Sequence, residues 1–268
     1  MGRKLGILAG SGAFPRLAAA EARRAGYDEI VIAAVRGEAE PALADVADVF
    51  EPVAPGEVAR ILAFFKDRGV EEILLAGKVG PRVLLVGEEV LDETGRDIVR
   101  RLADLGAAAL LDVLVGFLAE QGLRVLDPTP FLAPFLCPPG LLTRTPLSGA
   151  AEADVAVGRA KAKALADLDI GQTLVLKNRH VVAVEGAEGT DRTILRAGEL
   201  AGPGTTVLKV ARSAQDRRLD QPAVGLDTVR AMIRAGAGAL WFEAGLPIFG
   251  KAEAAAEADA HGIAIAAG

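Results

Sequence analysis

Cys137 is the only cysteine in 268 residues. The chain therefore has neither an internal disulfide nor the thiols for a cysteine-cluster zinc site, a usage that fits a reducing cytoplasm. Aromatic residues are also scarce, at 4% against 51% hydrophobic residues overall, so the core must be built from Ala, Val, Leu and Ile. Such cores fill sheets covered by helices. Long hydrophobic runs are missing too. The longest apolar stretch, 105–118, is interrupted by Asp112 and falls short of the roughly 20 residues a bilayer-spanning helix needs. The amino terminus carries one short apolar run that reads as a buried strand and not as the core of a signal peptide. No export is implied, and contact with a membrane would be peripheral. A formal charge of −6 leaves no basic excess to replace counterions along a nucleic-acid backbone. Neither histidine has an assignable chemistry, since His180 opens a strand beside a turn and His261 falls near a helix end. Gly-x-Ser-x-Gly, His-Glu-x-x-His and Walker patterns are absent, which removes serine-hydrolase, zincin and standard nucleoside-triphosphatase readings and leaves metal-assisted chemistry on phosphate.

What is present is an alternation of short apolar runs and amphipathic stretches. Strands are predicted over 4–9, 29–34, 46–50, 71–76 and 124–126, with helices over 15–25, 55–68, 94–105 and 107–121 between them. Strands alternating with helices imply a parallel sheet. The composition then changes: Pro128, Pro130, Pro134, Pro138, Pro139 and Pro146 break continuous structure. A second half restarts with a helix over 154–168 and a hairpin of 173–176 with 180–184 around Lys177-Asn178-Arg179. Helices over 190–196, 228–235 and 251–259 follow, alternating with strands over 207–210, 239–242 and 263–266. The fold class is thus α/β, with a Rossmann-like parallel-sheet domain over 1–127, a proline-rich linker over 128–148 and a mixed α/β domain over 149–268. The linker's Phe131, Phe135 and Leu136 are too apolar for a free tether; they either pack between domains or accept acyl chains.

Three segments carry candidate chemistry. Gly10-Ser11-Gly12 follows the first strand and precedes a helix, where backbone N–H groups and the helix dipole can approach a phosphate. The dinucleotide fingerprint is incomplete, because Pro15 occupies its last glycine position and no acidic residue ends the second strand, which disfavours a nicotinamide-dependent oxidoreductase. Lys78 and Arg82 follow the 71–76 strand and would emerge at the same carboxyl-end rim. Glu185-Gly-Ala-Glu188-Gly-Thr190-Asp191 leaves a strand and enters a helix; Thr190 or Asp191 serves there as a helix cap, or a carboxylate or backbone amide faces a ligand. The densest segment runs from Lys209 to Thr228, with Lys209, Gln215, Asp216, Arg218 and Asp220 punctuated by Pro222 and Gly225. Alternating carboxylates and cations in so irregular a stretch suit a divalent metal held beside an anionic oxygen.

Five ordered blocks, beginning with Leu5-Gly-Ile-Leu-Ala-Gly-x-Gly-x-x-Pro15 and Ala76-Gly-x-Val79 followed by Arg82, give the chain an end-to-end resemblance to a known family. The others are Leu168-Asp-Ile-Gly-Gln172, Val182-Ala-Val-Glu185-x-x-Glu188-Gly-Thr-Asp191 and Gln215-Asp-x-Arg218-x-Asp220-x-Pro-x-x-Gly225. They resemble the UDP-2,3-diacylglucosamine pyrophosphatases of the LpxI type, enzymes of lipid A biosynthesis. The resemblance implies two domains with a lipid-linked sugar nucleotide between them, and a divalent metal, usually magnesium. It implies water attack on the sugar-side β-phosphorus, releasing UMP and 2,3-diacylglucosamine 1-phosphate. Asp220 matches the family's catalytic aspartate, and Asp216 and Glu188 stand as further metal ligands. Gly10, Ser11, Gly12, Lys78, Arg82, Thr190, Asp191, Lys209, Gln215 and Arg218 are the expected substrate contacts. A noncatalytic nucleotide-sugar or lipid-binding protein would keep the glycine loop without needing Asp220. A cytoplasmic enzyme, peripheral at the inner membrane and open to homo-oligomerisation, is the resulting expectation. The family pattern is broken at Val210-Ala211-Arg212-Ser213, where many relatives have a Lys-Pro pair.

Overall fold

Strand-forming and helix-forming segments alternate along the whole chain, and in the computed structural model they sort into two sheets. Residues 2–78, 91–103, 110–214 and 222–268 are described. They form two compact units, one from the chain up to Leu132 and one from Ala133 onward.

The first unit is a parallel sheet of β1 (Lys4–Ala9), β2 (Glu29–Val35), β3 (Val49–Val53), β4 (Glu72–Ala76) and β5 (Arg124–Val125), in the order β3-β2-β1-β4-β5. Its helices are α1 (Phe14–Arg24), α2 (Val58–Lys66), α3 (Glu93–Ala103), α4 (Leu110–Glu120) and the single turn α5 (Thr129–Leu132). Side chains alternate faces along a strand. Leu5, Ile7, Ile30 and Ile32 therefore join Ala18, Ala19 and Ala22 of α1, while Val31, Ala33 and Ile73 join Phe65 and Phe117 on the other face. Covering both faces explains why these strands read as continuous apolar runs.

The second unit is a mixed sheet of β6 (Gly140–Leu141), β7 (Thr173–Lys177), β8 (His180–Val184), β9 (Thr206–Lys209), β10 (Ala239–Phe242) and β11 (Ala264–Ala267), in the order β6-β11-β10-β9-β7-β8. Strands β9, β10 and β11 are parallel, and β7 runs antiparallel to both β9 and β8. The helix α6 (Gly149–Asp167) covers one face through Val155, Ala162 and Ala166, packed with Leu174, Leu176, Leu208 and Trp241. Helices α7 (Thr190–Ala201), α8 (Leu226–Ala235) and α9 (Lys251–Ala260) cover the other, through Ile194, Met232 and Ala254 against Val175, Val207 and Leu240. The β7–β8 hairpin closes through Asn178 and Arg179, both at positive φ, the conformation of a two-residue turn whose twist matches its strands.

The α/β class with a parallel sheet followed by a mixed one agrees with the sequence reading. Differences lie at element ends. The third strand starts at Val49 and not at 46, because 41–46 coils into a 3-10 turn. Helix α6 begins five residues earlier than predicted, because Ser148 accepts a hydrogen bond from the Ala151 amide and caps it. The proline-rich stretch contains the α5 turn and β6, which pairs with β11. Among the described residues no helix is long and apolar enough to cross a membrane.

Candidate active site

In an open parallel sheet, ligands bind at the carboxyl ends of the strands where the order reverses, which here is between β1 and β4 and their continuing loops. The two continuing loops are joined backbone to backbone. The Gly10 amide donates to the Ala76 carbonyl at 2.8 Å, and Ser11 and Lys78 exchange amide–carbonyl bonds of 2.7 and 3.0 Å. The Ser11 hydroxyl adds a bond to the Lys78 carbonyl at 3.0 Å. Side chains have no room in this crossing: a Cβ on Gly10 would lie 2.2 Å from the Lys78 carbonyl oxygen, and one on Gly77, at φ +87°, would lie 2.6 Å from that of Ser11. The glycines thus serve the approach of two backbone segments. The Gly10 and Ser11 amides, expected to face a phosphate, are already used within the chain. Gly12 makes the turn into α1 at positive φ, and the Lys78 side chain is exposed. Arg82 lies outside the described residues.

The second unit gathers its chemistry differently. The ends of β9, β7 and β8 lie side by side: Thr173 is the register partner of Lys209, and the Glu185 amide donates to the Thr173 carbonyl at 2.9 Å. Lys209 is only 2% exposed and Glu185 9%. The Lys209 ammonium donates to the Thr190 hydroxyl oxygen at 2.7 Å, and Thr190 donates to Glu185 Oε1 at 2.9 Å. The Thr173 hydroxyl lies 3.3 Å from that of Thr190, and the Gln172 amide donates to Glu185 Oε2 at 3.3 Å. Thr190 opens α7, but the N-cap is Gly189 and no side chain caps the helix. The Thr190 hydroxyl thus belongs to the buried polar cluster and does not cap the helix. Asp191 stands in the first turn of the same helix.

Glu188 was expected to bind metal. Its carboxylate braces α7, accepting from the Arg196 guanidinium at 2.5 Å, the Gly186 amide at 3.1 Å and the Thr193 hydroxyl at 3.3 Å. Its own backbone N–H, and then Arg196, hold the carboxyl below the usual range. Among the described residues no group of three or more His, Cys, Asp or Glu is placed to hold a metal ion. Gln215, Asp216, Arg218 and Asp220 lie outside the described residues.

The chain leaving β9 toward that segment is fastened on three sides. The Ala211 amide donates to Glu243 at 3.0 Å, and Lys163 donates to the Ala211 carbonyl at 2.9 Å while pairing with Glu243 at 3.0 Å. Asp167 accepts from the Ser213 amide at 2.7 Å and its hydroxyl at 2.9 Å, and Arg212 pairs with Asp169 at 2.9 Å. The Ser213 amide, then its hydroxyl, hold the Asp167 carboxyl low. Sequence reasoning missed Lys163, Asp167, Asp169, Glu185 and Glu243 as members of this site. Of these, Glu185, beside Glu188, and Asp169, within the Leu168–Gln172 block, stood in segments with a visible signal. The aromatic residues of the proline-rich stretch are packed: Phe131 is in the first unit's core beside Tyr27, and Phe135 meets the Phe249 ring edge-on at 5.6 Å. Leu136 is exposed.

A parallel sheet with Lys78 at the carboxyl ends of its strands, followed by a mixed sheet with a buried lysine–hydroxyl–carboxylate cluster, defines an α/β protein of two sheets. The models of the LpxI N-terminal domain and the LpxI C-terminal domain match residues 4–135 and 138–266. The chain belongs to the LpxI family. It is similar to the UDP-2,3-diacylglucosamine pyrophosphatase LpxI of Caulobacter vibrioides, with 28% identity over 255 residues, covering 91% of this chain and 89% of the relative.

Proposed function

We propose that the protein hydrolyses the diphosphate of UDP-2,3-diacylglucosamine to UMP and 2,3-diacylglucosamine 1-phosphate, a step of lipid A biosynthesis. The observation that carries the reading is the match of both LpxI domains in order along nearly the whole chain. The buried Lys209–Thr190–Glu185 cluster supports it, because a lysine kept from water at a strand end is suited to an anionic oxygen.

In the proposed reaction a water oxygen bonds to the β-phosphorus as the bond from that phosphorus to the bridging oxygen breaks. The bridging oxygen leaves with UMP and carries the electron pair. Asp220 orients the water and takes its proton. Lys209 and Arg218 neutralise the phosphoryl oxygens, where charge builds as the bridging bond lengthens. Thr190, Asp191 and Gln215 help to orient the substrate, and Lys78, Arg82 and the Gly10-Ser11-Gly12 turn serve the nucleotide end. A divalent cation such as magnesium, when bound, supplies further positive charge beside the diphosphate. Asp216 and Asp220 are the carboxylates we assign to it, since Glu188 is engaged with Arg196. Peripheral contact with the inner membrane would follow from the acyl chains of such a substrate.

The test is UMP release from UDP-2,3-diacylglucosamine by purified protein with magnesium, compared with Asp220→Ala. Release by the native protein, lost in a folded Asp220→Ala variant and lost on chelation, is expected. A native protein that binds the sugar nucleotide without releasing UMP would favour a binding protein instead.

A further inference from the structure

Lys209 and Thr190 were legible as substrate contacts, but Glu185 has no role in the reaction as set out above, and the geometry around it is directional. A lysine ammonium can only donate, and a threonine hydroxyl has a single proton to give. With Lys209 donating into Thr190 at 2.7 Å, the Thr190 oxygen is an acceptor on that side. Its one proton then goes to Glu185 Oε1 at 2.9 Å. Thr173 can only add a second donation into Thr190, at 3.3 Å. The order is therefore Lys209 to Thr190 to Glu185, ending on a carboxylate whose other oxygen receives the Gln172 amide.

Position reinforces direction. Glu185 is the residue after β8, Thr173 opens β7 and Lys209 ends β9, so all three sit at one end of three neighbouring strands. Gly171 allows the backbone of that end to close up: a Cβ there would lie 2.1 Å from the Glu185 carbonyl oxygen. A buried ammonium needs negative charge and hydrogen-bond acceptors near it; the Thr190 oxygen is one such acceptor, and the Glu185 carboxylate beyond it brings negative charge.

We infer that Glu185 is a positioning residue for Lys209, acting through the Thr190 hydroxyl to aim the ammonium. The inference rests on the reading of Lys209 as a phosphate contact, and it adds a residue that does not itself touch the substrate. Glu185→Gln keeps size and one acceptor while removing the charge. Thr190→Val removes the hydroxyl at nearly constant volume, and Thr190→Ser keeps it.

Two measurements test this. In steady-state hydrolysis of UDP-2,3-diacylglucosamine, Glu185→Gln and Thr190→Val should each raise KM about tenfold, the size of one lost charge-assisted hydrogen bond. Thr190→Ser, which keeps the hydroxyl, should recover most of the loss seen in Thr190→Val. Urea unfolding midpoints, followed by Trp241 fluorescence, separate this from a packing role, which would lower the midpoints in step with activity. The second measurement needs no turnover: the ammonium signal of Lys209 in 15N-labelled protein, assigned by its loss in Lys209→Met, should survive in Thr190→Ser and be lost to solvent exchange in Thr190→Val and Glu185→Gln. A native KM in Glu185→Gln, or a Lys209 signal unchanged in both variants, overturns the inference. A native protein that releases no UMP yet shows the variant-sensitive Lys209 signal would sink the pyrophosphatase reading and leave the coupling standing.

Discussion

The two units solve the same problem, presenting a polar site at a sheet end, with different materials. In the first, backbone meets backbone at the ends of β1 and β4, and the residues that matter most are glycines with no room for a Cβ. In the second, side chains from β7, β8, β9 and α7 meet in a buried row, and what matters is which group donates and which accepts. The contrast teaches that a glycine-rich turn after a strand does not by itself offer its amides to a phosphate. Gly10 and Ser11 donate to Ala76 and Lys78 instead. Among the described residues of these two loops, Lys78 is the exposed cation.

Four substitutions or titrations would break or sharpen this comparison. The largest effect is expected for Asp220→Ala, which should lower kcat by about 10²- to 10⁴-fold, the usual contribution of a positioned acid or base, while leaving the Trp241 unfolding transition in place. Next, Gly10→Ala forces a methyl group into the Lys78 carbonyl and should destabilise the first unit by about 1–3 kcal/mol. The chain carries one tyrosine, Tyr27, in the first unit, and one tryptophan, Trp241, in the second, so each unit reports separately. Urea unfolding of Gly10→Ala should shift the Tyr27 signal and spare that of Trp241; equal shifts would erase the distinction between a backbone-built and a side-chain-built site. Asp167→Ala, which frees Ser213 just ahead of the 215–221 segment, should reduce kcat severalfold while changing stability by no more than about 0.5 kcal/mol, as for most surface substitutions.

The smallest effect is a titration at the opposite, amino-terminal end of the first sheet. There Tyr27 donates to Glu72 at 2.6 Å, and Glu72 also pairs with Arg3 and Arg124. Burial first, then the bond to Glu72 and its charge, push the Tyr27 phenol from 10.0 up to about 12. The folded value lies above the ordinary one, so this group's contribution to stability is intact below about pH 10 and is lost as the pH rises toward 12. Phenolate absorbance in the alkaline range reads this single residue. An ordinary midpoint in folded protein would show that the charged group does not close this end of the sheet.

Much of the architecture was legible because its signals are local. The run Lys-Leu-Gly-Ile-Leu-Ala marks β1 from Lys4 to Ala9, and Ala239–Phe242 marks β10, each where a short apolar segment meets turn residues. Gly202, at φ +69°, ends α7 later than the apolar pattern alone implied. Within the site, Thr190 and Lys209 were legible as polar residues at element ends, and the structure brings them into contact. Lys163, Asp167 and Glu243 were not, because each acts on Ala211 or Ser213 from 32 to 48 positions away, and no local pattern marks such a pair. The partner of Glu188 was hidden for a similar reason: Arg196, two helical turns along α7, pairs with it, and no local pattern marks that pair.

Hydrolysis of UDP-2,3-diacylglucosamine in heavy-oxygen water, with both products weighed by mass spectrometry, tests the central claim most directly. The account predicts one heavy oxygen in the phosphate of 2,3-diacylglucosamine 1-phosphate and none in UMP. Label in UMP would place the attack on the other phosphorus, and intact substrate would contradict the pyrophosphatase assignment itself.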